Sequence, residues 1–316
     1  MGKIQQLISL WRRFGNFLFF SIAIAVVLIS LVFDSKRILN YTFQLNPWLV
    51  LLSVVIEFGG LFLAVPAWHL ILARCGGHLS YQDDLRIYCY TLLGVVVPGG
   101  IWSLMGRVTL YERQGVPGVR VTVATIVEYV LIGLAGLAVY GLATFLQPSQ
   151  SLWQRPEVAL TITAIALILI QPPFFNRFIQ WVLKQSKQTQ ENLASFHYDD
   201  LGLLLGLEIL TIIVGGTAIY ILLQSFISIS IEVYIPVVSA WAAGVVVGNL
   251  LFWFPGKPVL RDGAMMLVLV QLLPPALALA FVIILRVWHI ASILMAAGLA
   301  WLFLRRKTVK VAPNFK

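Results

Sequence analysis

Three glutamates each stand alone in a long stretch otherwise free of charge: Glu57 within residues 38–73, Glu128 within 121–154 and Glu208 within 201–231. An ionisable group in such apolar surroundings costs a few kcal/mol even on mild insertion scales, so each is a functional candidate by default. Arg107, the adjacent Arg261-Asp262 and Arg286 border equally apolar stretches and supply counter-charges. Glu128 lies about 12 Å into its helix at the α-helical rise, and Arg107 is the nearest group able to neutralise it. Two Pro-Gly breaks add backbone chemistry. Pro98-Gly99-Gly100 is followed by Ser103 and Arg107, and Pro255-Gly256-Lys257-Pro258 by Arg261. At an interrupted helix, freed N–H groups and the positive end of the next half-helix can hold an anion. A hydroxyl and a planar guanidinium complete the donor set for a phosphate.

The elements that must position these residues follow from hydropathy. Windows 14–33, 87–106, 158–176, 233–256, 263–285 and 287–304 contain no Asp, Glu, Lys or Arg, and about 20 apolar residues span a bilayer. Only 11% of the 316 residues are charged and 60% are hydrophobic, against about 25% charged in soluble domains. The chain therefore reads as an all-α polytopic integral membrane protein. A soluble enzyme, a disulfide-stapled secreted domain and a disordered tail are excluded. The net charge of +9 marks cytoplasmic loops and contact with anionic lipid rather than nucleic acid. Cys75 and Cys89 form no disulfide or metal framework, and His69, Cys75 and His78 are too few for a zinc site. No metal, no cofactor and no catalytic residue is expected. His69 and His289 read as satisfied interior histidines.

Basic residues orient the chain. A single transmembrane domain over 1–316 is expected, with about six to eight membrane-spanning helices, one or two broken or re-entrant hairpins, and both termini in the cytoplasm. Helix 14–33 leaves the cell and 47–73 returns to Arg74. The window 87–106 re-enters, because Arg74 and Arg86 precede it and Arg107, Arg113 and Arg120 follow. Helix 121–146 leaves and 157–174 returns. A cytoplasmic polar loop covers 176–200, with Phe174, Phe175, Phe178, Trp181 and Val182 at the spacing of an interfacial amphipathic helix. Asp83-Asp84 and Asp199-Asp200 fall in cytoplasmic segments, and Cys75 should be open to thiol reagents from that side. Helix 201–223 leaves. Residues 233–304 form either three spans or a second broken hairpin around Pro255 followed by one long helix, before a cytoplasmic tail at 305–316. Gly202-xxx-Gly206 and Gly244-xxx-Gly248 allow close helix approach. Glu57 and Glu208 sit on helices of opposite direction, each preceding a Pro-Gly break and an arginine, the pattern of an inverted repeat.

Pro98-Gly-Gly-Ile-Trp-Ser103, Arg107, Gly115-Val116 and Glu128, with Pro255-Gly-Lys-Pro-Val-Leu-Arg261-Asp262-Gly263-Ala264 and Arg286, resemble the lysylphosphatidylglycerol synthase transmembrane (flippase-like) family. The resemblance runs from helix one to Trp301. The family's second motif usually reads Pro-Gly-Gly-x-Gly-x-Arg-Glu-Gly; here Lys257-Pro258 and Leu260 replace glycines and Asp262 replaces Glu. The resemblance implies a membrane domain that moves or handles phospholipid or polyprenyl-linked lipid. The sequence ends 12 residues after Leu304, so a stand-alone member without the synthetase domain is expected. The first reading is a lipid translocator of the bacterial plasma membrane. An anionic phospholipid or polyprenyl-phosphate headgroup would be held by Pro98, Gly99, Gly100, Ser103, Arg107, Pro255, Gly256, Arg261, Asp262 and Arg286. Glu57, Glu128 and Glu208 would orient the arginines or exchange protons. The alternatives are a non-catalytic accessory protein working with an envelope glycolipid or polysaccharide assembly partner, and a membrane-embedded transferase, which lacks the paired acidic motifs that hold Mg²⁺.

Overall fold

The computed structural model describes residues 44–96, 101–147, 155–185, 195–251 and 257–303. The helix expected at 14–33, the break residues Pro98, Gly99, Gly100, Pro255 and Gly256, and the tail at 305–316 lie outside them.

Asn46 starts the first described helix, α1 (Pro47–Arg74), by accepting from the Trp48 and Leu49 N–H groups through its side chain, with Pro47 at the first helical position. It ends where Gly76 adopts φ 78°, a left-handed conformation that glycine takes without steric cost. A broken pair follows, α2 (Tyr81–Val96) and α3 (Trp102–Glu112), and then the long α4 (Gly118–Leu146). Next come α5 (Pro156–Leu169), α6 (Pro172–Gln185) and α7 (Tyr198–Gln224). A 3-10 turn at Ile231–Val233 leads into α8 (Tyr234–Leu250), followed by α9 (Lys257–Leu269) and α10 (Pro275–Phe303). Among the described residues five segments are long and apolar enough to cross a membrane: α1, α4, α7, Ile231–Leu250 and α10.

The single span expected at 157–174 is a correction. It stops at Leu169, and α6 begins afresh at Pro172-Pro173, because prolines lack the N–H that would continue α5 yet suit a helix start. At 14 residues, about 21 Å, α5 still carries the chain back across the bundle. Phe175 of α6 packs edge-to-face on Phe196, just before α7. On α6 Phe174, Phe178 and Trp181 are exposed while Phe175 and Ile179 are buried, as an interfacial helix requires.

Hydrogen bonds fix the directions. At one end of the bundle Arg74 of α1 pairs with Asp200 of α7. At the other end, Asn46 N–H donates to the Ser225 carbonyl at 2.9 Å. Thus α1 and α7 run antiparallel. Arg120 donates to the Gly76 carbonyl at 2.6 Å, so α4 begins at the end where α1 stops. The α2–α3 hairpin between them enters and leaves on that same side, as the flanking arginines suggest. Within it Gly94 faces Ser103 and Gly106 faces Thr91, an antiparallel register; a Cβ on Gly94 would lie 2.6 Å from Ser103 Cα. The second hairpin repeats the device. Gly244 faces Met265 and Gly248 faces Arg261, with an added Cβ 2.6 Å from Met265 Cγ at Gly244. Of the two parses for 233–304, the structure has the hairpin followed by one uninterrupted helix, α10, of 29 residues.

Two runs of four helices therefore match: 28, 16, 11 and 29 residues in α1–α4, against 27, 17, 13 and 29 in α7–α10. Their contacts match as well. α4 packs on α8 as α10 packs on α2, and α1 packs on α4 as α7 packs on α10. With α1 and α7 opposed, this is the arrangement of an inverted repeat. The glycine reading divides. Gly244 and Gly248 are packed, whereas Gly202 and Gly206 have nothing within 4 Å of an added Cβ and serve no close approach among the described residues.

Alanine at Gly94 should destabilise the protein by about 1–3 kcal/mol through overpacking against the Ser103 backbone, while alanine at Gly202 should be neutral or slightly stabilising. Denaturant unfolding of the detergent-solubilised protein measures both, and equal effects would contradict the hairpin register.

Candidate functional site

Arg107 sits one and a half turns into α3, and burial leaves it 3% exposed. Its Nη1 pairs with Glu128 Oε2 of α4 at 2.5 Å, and Glu128 is 1% exposed. The guanidinium also lies 4.0 Å over the Trp68 ring and 4.7 Å over the Tyr88 ring, where cation–π attraction adds to the ion pair. Two polar atoms of the pair, Arg107 Nε and Glu128 Oε1, are buried without a hydrogen-bond partner among the described residues. Ser103 and Tyr129 share a hydrogen bond beside them.

Across the bundle Asp262 receives Arg261 Nε at 3.0 Å and Arg286 Nε at 2.8 Å. Arg261 lies 5.8 Å from the Trp241 ring centroid, and its stem passes over Gly248. Glu57 pairs with His289 Nδ1 at 3.2 Å.

These groups converge. A cavity of about 270 Å³ is lined by Arg107, Glu128, Glu208, Glu57 and Arg261, with Ser103, Tyr129 and His289 among its other walls. All three carboxylates and two of the three arginines singled out in the sequence share it. Asp262 and Arg286 do not line it; they stand behind Arg261 and fix it. The correspondence between the halves extends to the cavity wall. Glu57 and Glu208 hold the same position counted from the starts of α1 and α7, and Tyr88 and Trp241 the same position in α2 and α8.

A second polar chain was not expected. Trp68 Nε1 donates to Tyr111 Oη at 2.7 Å, and Tyr111 donates to Asp84 Oδ1 at 2.6 Å. Asp84 Oδ2 meets His69 Nδ1 at 2.5 Å. Asp84 is fully buried and Asp83 nearly so, an enclosure that their assignment to a cytoplasmic segment did not anticipate. Ser80 caps α2 through the Asp83 N–H at 3.2 Å, and this Ser-x-x-Asp signal places both aspartates in a first helical turn that folds inward. The chain ties the ring under Arg107 to a histidine whose side chain is 34% exposed. Cys75 is a further correction: it is 1% exposed, and burial pushes its thiol up to about 12.

A helical bundle with five apolar segments among the described residues long enough to cross a membrane, an inverted-repeat core and a charged cavity between its halves defines a multi-pass membrane protein. Residues 18–298 match the family described as the lysylphosphatidylglycerol synthase TM region, and the chain belongs to that family. No curated protein matches the sequence significantly.

Removing either partner of the Arg107–Glu128 pair should cost about 3–5 kcal/mol, because the other charge is left uncompensated. The double substitution to alanine should cost less than the sum, and strict additivity in a double-mutant cycle would show that the pair contributes nothing. Because the thiolate is the reactive form, Cys75 should resist alkylation at pH 8 from either face and react only on unfolding or as the pH approaches 12. Rapid labelling of the folded protein at pH 8 would contradict its burial.

Proposed function

We propose that this protein moves a membrane lipid between leaflets, seating the polar headgroup in the cavity while the lipid's chains stay in the bilayer. The observation that carries the reading is that Arg107, Arg261 and three carboxylates line one space of about 270 Å³ between two inverted halves. A phosphate oxygen would satisfy the buried, unpartnered Nε of Arg107, and the opening half-helix of α3 presents its positive end beside Ser103. This favours an anionic phospholipid or a polyprenyl-phosphate lipid. Rocking of one half against the other would expose the site to each leaflet in turn. The bundle end carrying Arg74, Arg86, Arg113 and Arg120 would face the cytoplasm of a bacterial plasma membrane, with both termini on that side. No bond is made or broken in this reading, and membership of a membrane lipid family agrees with it.

The test is headgroup accessibility in liposomes containing the purified protein. Flip-flop of labelled phosphatidylglycerol or of a polyprenyl-phosphate should accelerate over protein-free liposomes. Arg107→Lys should slow it about tenfold or more, the loss of one charged hydrogen bond of about 1.5 kcal/mol, since lysine lacks the planar fork. Folded protein that moves neither lipid would overturn the reading. Retention of a lipid-linked intermediate in that case would favour the accessory role.

A further inference from the structure

We propose that Glu208 is a proton-exchange site, and that one proton crosses the membrane together with each anionic headgroup. The proposal rests on the translocator reading and adds its driving force.

The three cavity carboxylates are not equivalent. Glu128 has Arg107 at 2.5 Å and Glu57 has His289 at 3.2 Å. Glu208, at the same position in α7 as Glu57 in α1, is 2% exposed and has no hydrogen-bond or ion-pair partner among the described residues. The groups facing it from the packed elements are Glu57 on α1, Glu128 and Tyr129 on α4, and His289 on α10. Tyr88, Arg107 and Arg261 lie across the cavity, and α8 contributes Trp241 but no charge. Neither cavity arginine pairs with Glu208: Arg107 pairs with Glu128, and Arg261 turns to Asp262, which it shares with Arg286. A bare carboxylate without a counter-charge is disfavoured in such a space, whereas the neutral acid can remain.

An entering phosphate sharpens this constraint. It would sit beside Glu128 and Glu208 in a low-dielectric cavity, where repulsion between negative charges is strong. A proton on Glu208 removes one of those charges and supplies an O–H donor to the phosphate. The step is balanced: a carboxylate takes one proton from the side to which the cavity is open, forming one O–H bond. It releases that proton to the opposite side when the headgroup leaves. Headgroup and proton therefore travel in the same direction.

The experiment uses the full chain in liposomes holding labelled phosphatidylglycerol, with and without an alkaline interior. In the wild-type protein the gradient should raise inward lipid movement severalfold and skew the steady distribution toward the alkaline lumen. Glu208→Gln should equilibrate the lipid at a rate indifferent to the gradient, and Glu208→Asp, which keeps a titratable group, should restore the bias. A protonated-carboxyl band in infrared difference spectra, titrating with pH in the wild type, should vanish in Glu208→Gln. Wild-type movement without bias overturns proton coupling and leaves the translocator reading standing. Absence of any lipid movement overturns both. A bias that survives Glu208→Gln, or a band that survives it, removes Glu208 as the site.

Discussion

The burial of one guanidinium, Arg107, sets the terms for the first half of the bundle. A cation in a membrane interior needs a counter-charge and must keep polarisable surface around it. Glu128 supplies the first, and the rings of Trp68 and Tyr88 supply the second. Those three residues belong to α4, α1 and α2, so satisfying Arg107 requires α3 to be inserted against all of them. A short helix can do so only if its chain turns back inside the bundle. Gly94 permits that turn, because no side chain fits between the two arms where they pass. The Trp68–Tyr111–Asp84–His69 chain then fixes the ring beneath the guanidinium from the side away from the cavity.

The two halves meet along α1 and α7, whose antiparallel pairing is secured at both ends by Arg74–Asp200 and by the Asn46 and Ser225 backbones. Gly60 lets α7 approach there, with Val214 3.6 Å from an added Cβ. This seam carries Glu57 and Glu208 into one space from opposite directions. A cavity at such a seam is bounded by both repeats, so any relative motion of the halves changes its outline. Two hydrophobic clusters, one around Trp68, Ile71 and Leu131 and the other around Ile219, Leu223 and Met265, each draw on both halves: Leu201 and Leu204 of α7 join the first, and Ala135, Val139 and Tyr140 of α4 join the second.

Much of this architecture is legible in the sequence because hydrocarbon leaves a chain few options. Lone glutamates in apolar windows mark the cavity, basic residues on both flanks of 87–106 mark a hairpin, and Arg107 with Glu128 is the pair that charge neutrality demands. What is not legible depends on contacts rather than on hydropathy. Asp83 and Asp84 look solvated because they precede the apolar window, yet the Ser80 cap draws them into the helix and Tyr111, from a distant helix, buries Asp84. Gly202 and Gly206 share a spacing with Gly244 and Gly248, but only the latter have a helix laid against them. Cys75 directly follows Arg74, a residue 44% exposed in its side chain, and is itself enclosed. Spacing cannot distinguish a covered residue from an open one at a helix end.

The repeat is symmetric in backbone and reversed in charge. Arg107 and Asp262 occupy the same position in α3 and α9, and their partners Glu128 and Arg286 fall within one residue of the same position in α4 and α10. Each half thus buries an ion pair between its short helix and its last long one, with the signs exchanged. In the first half both members of the pair line the cavity; in the second, neither does, and Arg261 lines it with Asp262 and Arg286 behind. Arg261 therefore offers a cation whose counter-charge lies on its far side, whereas Arg107 offers one whose counter-charge shares the wall. An anion approaching Arg107 meets Glu128 at once; one approaching Arg261 does not. A symmetric frame can present equivalent faces to the two leaflets, but the reversed pairs make the two ends of the cavity different to a charged group. The two cavity arginines are therefore unequal despite the symmetric frame: Arg107 has its carboxylate in the same wall, and Arg261 has its carboxylate behind it.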